Sequence, residues 1–340
     1  MARGRRILPH VAVLFLVTAL LSVSSPRVFA AEGEGEAVPW REALRINAHE
    51  RHVESVRFSP DGKRLATISS WRGGTIRVWE TAFGERQVSK RFEMATIVLS
   101  PDWETILYTT FRYTGGKDKE TIELRTFPDG NVLRIMEVEN PRVFAFSADG
   151  KLLACGGGDG KITLWRVGDG KLLWTVDAHR WYVNCLKFGP RGNVLASGGP
   201  DSAVRVWQVS DATLARTLQI DDQVTSLAFT IDGEVLAAGT NGRLKLWYTR
   251  NWRILHDRWY GFYFRDLAFS NDAKVLAVCS TTDVRPSVSL RLLRLADLKE
   301  MQVPVQEMRE AVCIDFSPDG KMLAAGCSDG TVRLFSPTER

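Results

Sequence analysis

One short unit recurs seven times along the chain, and no other feature limits its fold as tightly. In Val56-Arg57-Phe58-Ser59-Pro60-Asp61-Gly62 an apolar strand ends in an anchor, Phe58, and runs into a turn. Leu99, Phe146, Phe188, Phe229, Phe269 and Phe316 stand at the equivalent points, at spacings of 41, 47, 42, 41, 40 and 47 residues. A fixed period of this length marks an array of units that bury their faces only against neighbours. The turns follow the pattern Ser-Pro-Asp-Gly, in which Pro presets φ and Gly tolerates the positive φ of a tight hairpin.

A second signature follows each anchor by 18–26 residues: a strand in strict alternation. Thr75-Ile76-Arg77-Val78-Trp79 is the first, followed by Ile162-Thr163-Leu164-Trp165, Val204-Arg205-Val206-Trp207, Leu244-Lys245-Leu246-Trp247 and Val332-Arg333-Leu334-Phe335. Period-two alternation rich in β-branched and aromatic residues predicts half-buried strands. No convincing helical stripe interrupts them, so the expected fold class is all-β.

Together these motifs resemble the WD-repeat family, whose repeats open with Gly-His, carry an Asp-bearing tight turn and end near Trp-Asp. The resemblance covers residues 39–336. It implies a seven-bladed β-propeller of four-stranded antiparallel blades. This chain departs from the pattern in its final acid, with Trp79-Glu80, Trp165-Arg166 and Trp207-Gln208, and has Arg125 and Leu293 where blades two and six would carry Trp. The last repeat runs out at Phe335 without an outer strand, whereas Pro39 to His49 matches the stretch from Gly170 to His179. Residues 40–47 are therefore expected to complete the last blade and close the ring, which removes exposed sheet edges.

The N-terminus reads separately. Arg3, Arg5 and Arg6 precede an apolar run from Val11 to Val23, and Val28 and Ala30 are small residues at the −3 and −1 positions of a cleavage site. This is the layout of a secretory signal peptide over residues 1–30. An uncleaved anchor is the alternative, but a spanning helix asks for about 20 apolar residues. Residues 31–38 read as an acidic flexible leader and 39–337 as the propeller. Without residues 1–30, 41 basic residues face 40 acidic ones, so the basic footprint of a nucleic-acid binder is missing. The expected product is a periplasmic or extracellular monomer with no stable membrane span. Cys155, Cys185, Cys279, Cys313 and Cys327 lie in apolar strand-like runs and read as buried small hydrophobes, with no pairing assigned.

Three patterns mimic catalytic chemistry. Gly326-Cys327-Ser328-Asp329-Gly330 matches a nucleophile elbow, but that motif needs a strand-to-helix turn and here a strand follows. His179, Ser197, Asp201 and Trp207 hold the ingredients of a Ser-His-Asp triad; the family resemblance instead implies a structural hydrogen-bond network ending on the Trp ring nitrogen. Blade one has His49 and Trp79 but Gly73 in place of the Asp. The five histidines form no HxxxH or HxH pair, so neither a metal nor another cofactor is expected.

Binding should then fall to loops. From anchor to Trp position the seven distances are 21, 26, 19, 19, 18, 24 and 19 residues, which puts the excess between the second and third strands of blades two (Thr109 to Glu120), six (Ser280 to Ser287) and one (Ser70 to Gly74). In a propeller these loops share a face with the connections between blades. Trp71, Arg72, Phe111, Arg112, Tyr113, Arg180, Trp181, Tyr182, Trp259, Tyr260 and Arg285 populate that face, with the residue types that anchor protein interfaces. Phe262 and Tyr263 fit equally well as plugs between blades. The expected function is a non-catalytic protein-interaction scaffold. The alternatives are a carbohydrate- or small-ligand-binding propeller, with Trp71, Trp181 and Trp259 stacking on sugar rings, and a propeller hydrolase or lyase, which the scarcity of loop histidines disfavours.

Overall fold

The computed structural model describes residues 39–70, 74–91, 96–114, 117–281, 289–301, 303 and 308–338, with backbone only for 111–114 and 117–119. These residues form seven four-stranded antiparallel sheets, and no helix among them is long and apolar enough to cross a membrane. The fold is a seven-bladed β-propeller. The inner strands are Ser55–Phe58, Ile97–Leu99, Pro141–Phe146, Cys185–Phe188, Val224–Phe229, Tyr263–Phe269 and Ala311–Phe316, each ending on its predicted anchor.

The turn after six of the seven anchors is fixed by a Ser or Thr side chain, while that of blade four is closed by backbone bonds from Gly189 to Val194 and from Gly192 to Gly189. Ser59 Oγ donates to Asp61 Oδ1 at 2.5 Å and accepts Arg64 N–H at 2.9 Å, while Gly62 sits at φ 70°. Ser147, Thr230, Ser270 and Ser317 repeat the arrangement with Asp149, Asp232, Asp272 and Asp319. At the glycine position blade six has Ala273 at φ 55°, and blade two has Trp103 at φ 63°. Its indole offsets that strain by donating to Phe58 O at 3.0 Å and lying under the Arg64 guanidinium, which ties blade two to blade one.

Blade faces pack in pairs. Trp79 joins Ala324, Val332 and Leu334 of the preceding blade, and Trp165 joins Leu107, Ile122 and Leu124. Inner strands are also stitched across blades by polar groups. Asn184 Nδ2 donates to Val224 O at 3.0 Å and Thr225 Oγ1 to Phe264 O at 2.7 Å. Asp266 Oδ2 accepts Ile314 N–H at 3.0 Å and Asp315 Oδ2 accepts Phe58 N–H at 2.8 Å. The turn residues and anchors announce the strands, but these stitches carry no such pattern.

Closure follows the sequence expectation. Trp40–Asn47 pairs antiparallel with Thr331–Pro337, from Trp40 opposite Pro337 to Asn47 opposite Thr331. Arg333 is almost wholly buried there, and its guanidinium donates to Glu42 Oε2 at 3.0 Å. Truncating one partner of a buried pair strands the other charge, at a cost of about 3–5 kcal/mol. Glu42→Ala is expected to destabilise by about 2–4 kcal/mol, given the partial exposure of Glu42, and deletion of residues 38–48 by more. Thermal melts check both, and an unchanged melt after the deletion would remove closure as the source of stability.

One expectation is corrected. The extra residues of blade two do not form a loop from Thr109 to Glu120: strands Thr105–Thr114 and Lys117–Thr126 pair as far as Thr114 opposite Lys117. Alternating β-branched and aromatic residues in Thr109-Thr110-Phe111-Arg112-Tyr113 extend the hairpin instead.

Candidate interaction face

The connections between blades and the turns between second and third strands meet on one side of the ring. Ala178 and His179 donate their N–H groups to Gly160 O at 3.0 and 2.9 Å, and Ala48 and His49 donate to Gly330 O at 3.0 and 2.8 Å. A Cβ on Gly160 would lie 2.1 Å from His179 O, and one on Gly330 2.1 Å from His49 O. Only glycine allows so close a backbone crossing, and both residues also take positive φ.

Blade four brings its four polar residues together beneath this face. His179 Nδ1 lies 2.7 Å from Asp201 Oδ1, His179 Nε2 2.8 Å from Ser197 Oγ, and Trp207 Nε1 donates to Ser197 Oγ at 3.0 Å. With Nδ1–H given to the carboxylate, bare Nε2 accepts the Ser197 hydroxyl, whose oxygen in turn accepts the indole N–H. Arg205 adds a bond to Asp201 Oδ2 at 2.7 Å. Burial holds His179 below its usual pKa against the opposing pull of Asp201, and the bonds from His179 and Arg205 overcome burial to keep the Asp201 carboxyl low. Ser197 has no exposed surface, so no substrate reaches its hydroxyl. The Gly326–Gly330 motif is likewise a hairpin turn between strands Leu323–Cys327 and Thr331–Pro337.

Thr67 was not singled out by the sequence, yet it does in blade one what Ser197 does in blade four. His49 Nε2 lies 2.8 Å from Thr67 Oγ1, and Trp79 Nε1 donates to the same oxygen at 2.9 Å. The usable signal was position, since Thr67 follows Phe58 by the same interval that separates Ser197 from Phe188. In blade two that position is Tyr108, which donates to Glu123 Oε2 at 2.5 Å while Arg125 pairs with the same carboxylate at 2.9 Å. Burial, then the Glu123 bond, pushes the Tyr108 phenol up to about 12. Blade six fills its Trp position with a buried Leu293.

On the face itself, Trp181 is 49% exposed and Trp259 63%. Arg180 lies 5.0 Å from the Trp181 ring, Arg142 4.1 Å from Tyr182 and Arg258 5.2 Å from the half-buried Tyr260. Phe262 turns inward against Tyr260 and Phe264, whereas Tyr263 is exposed, so of these two only Phe262 plugs the gap between blades. Trp71, Arg72 and Arg285 lie outside the described residues, as do the side chains of Phe111, Arg112 and Tyr113. All five cysteines are free thiols, four of them buried.

A repeated four-stranded blade with a buried Trp tied to a His through a hydroxyl defines a class of propeller. The family model for the WD domain, G-beta repeat, matches residues 40–80, 138–166, 170–208, 213–248 and 303–336, more than half of the chain, which belongs to the WD-repeat family. The unmatched stretches contain Arg125 and Leu293, the two departures at the Trp position. The chain is 28% identical over 204 residues to the periodic tryptophan protein 2 homolog of Dictyostelium discoideum, covering 58% of this chain and 22% of that protein. It is 29% identical over 135 residues to apoptotic protease-activating factor 1 of Rattus norvegicus, covering 39% and 10%. The rat telomerase protein component 1 is 28% identical over 137 residues, covering 38% and 5%. This chain thus spans less than a quarter of the length of each relative.

Two predictions follow from His179 and the half-buried His49. Ser197→Ala removes the acceptor of the Trp207 N–H and the partner of His179, and is expected to destabilise by about 2 kcal/mol or more; chemical denaturation measures it. His49 is lowered to about 4, first by burial and then by Arg77. The unfolded chain therefore binds a proton below about pH 6.5 that the folded protein refuses until about pH 4. Stability is expected to fall as pH drops through that window, by ~1–2 kcal/mol for this partly solvated residue. His49→Gln should flatten that part of the stability profile, and an unaltered slope would assign the loss to other groups.

Proposed function

We propose that this propeller is a non-catalytic scaffold that works outside the cytoplasm, exported by residues 1–30 and capturing protein partners through its loop face. The observation that carries the reading is the exposure of Trp181 and Trp259 on the face where Arg180, Arg142 and Arg258 also gather. Large rigid rings beside directional cations are the usual energetic centres of protein interfaces. The relatives add support of a general kind, since WD propellers serve as binding platforms within longer proteins. Export rests on the basic, apolar and small-residue order of the N-terminus.

Partner capture is tested with a photo-crosslinking residue at position 180 and by replacing Trp181 and Trp259 together with Ala. The expected result is a discrete crosslinked partner whose binding weakens by about tenfold or more in the double variant. Undiminished capture would remove the loop face from the reading. Export is tested on its own by sequencing the mature N-terminus from the extracytoplasmic fraction, which is expected to begin at Ala31.

A further inference from the structure

The seven blades allow one position to be compared with its own repeats. Two residues before the Trp position, each third strand presents a side chain on the face that packs toward the preceding blade. In five blades it is a cation: Arg77, Arg205, Lys245, Arg291 and Arg333. Arg205 bonds Asp201 at 2.7 Å, Arg291 bonds Glu300 at 2.9 Å, Arg333 bonds Glu42 at 3.0 Å and Lys245 pairs with Asp257 at 3.4 Å. Arg77 donates to Ala48 O. Blade two holds Glu123 there and supplies its cation from Arg125.

Blade three has Thr163, and the space beside it stays open. A cleft of about 740 Å³ lies between blades two and three, with Cys155, Thr163 and Thr175 among its small lining residues and Trp165 as an aromatic wall. Glu120, Glu139 and Asp159 also line it, and the cation among the described lining residues is Lys161, which sits 3.8 Å from Asp159. Glu120 and Glu139 add negative charge to a groove whose repeat-equivalents elsewhere hold a guanidinium or ammonium group. The volume suits a side chain together with its flanking backbone.

We propose that this cleft takes an arginine side chain from an extended segment of a partner protein, in the place that an internal cation fills in five other blades. A guanidinium matches carboxylates through paired N–H donors and stacks on an aromatic wall, and four of the five internal precedents are Arg. The site opens between blades two and three at the edge of the loop face, and its arginine preference is read separately from partner capture by Trp181 and Trp259.

Fluorescence anisotropy of the full chain with the labelled peptide Ser-Gly-Arg-Gly-Ser, and with its citrulline counterpart, tests the assignment. Citrulline keeps the shape of arginine but not its charge. The arginine peptide is expected to bind about tenfold tighter or more. Thr163→Arg, which fills the cleft from within, should abolish that preference while retaining or raising the melting temperature. Glu120→Gln with Glu139→Gln should weaken the arginine peptide by about tenfold with the cleft still open, which keeps the test decisive if Thr163→Arg folds poorly. Equal binding of the two peptides, no arginine-dependent binding, or binding undiminished in the Gln variants would overturn the proposal.

Discussion

Everything in this ring depends on one long-range pairing, that of Trp40–Asn47 with Thr331–Pro337. A propeller blade is a small sheet with two faces to bury, and each face is covered by a neighbouring blade. A ring left open at one blade would expose a face and a strand edge together, and such edges invite pairing with other chains. The chain avoids this by placing its first described strand beside its last, so that blade seven draws on both ends of the sequence. The buried Arg333 gives the seam chemical specificity, because its guanidinium meets Glu42 only when the first strand is docked. A buried ion pair of this kind adds less net stability than selection of one arrangement.

Within the ring, repetition lets each blade interpret the others. Blade four carries the full network of His179, Asp201, Ser197 and Trp207, and blade one a shorter form through Thr67. Blade two has exchanged the indole for Arg125 and satisfied it with Glu123 and Tyr108. These are different solutions to one requirement, that a polar group buried at the outer end of a blade must find a partner. The triad-like residue types of blade four therefore follow from burial. Blade three presents the opposite case, where a position filled by a cation in most blades is reduced to Thr163 and a cleft results.

Backbone crossings at Gly160 and Gly242 hold two of the connections against the turns, so Trp181 and the strand end at Trp259 are presented by a fixed frame. Trp181 and Trp259 remain exposed there, with Arg180 over the Trp181 ring and Arg258 over the ring of Tyr260. Shared membership of the WD-repeat family explains the frame. It leaves the partner to the exposed side chains, which differ from blade to blade.

The anchors, the turn residues and the alternating third strands were legible in the sequence because local chemistry dictates them: Gly at positive φ, Ser and Asp in the turn, β-branched residues in the strand. Ring closure was legible too, since the N-terminal stretch resembles other outer strands and the last repeat lacks one. The expected loop of blade two was misplaced because hairpin extension and loop insertion add the same number of residues, and only pairing tells them apart. Thr67, the stitches from Asp266 and Asp315, and the burial of Phe262 beside an exposed Tyr263 were not legible, because each depends on which blade faces which. The sequence by itself therefore determined a closed seven-bladed ring, for its signals repeat at a fixed period. Only tertiary structure decided which polar groups meet across blades and which groove stays open, for those contacts join residues that no local pattern relates.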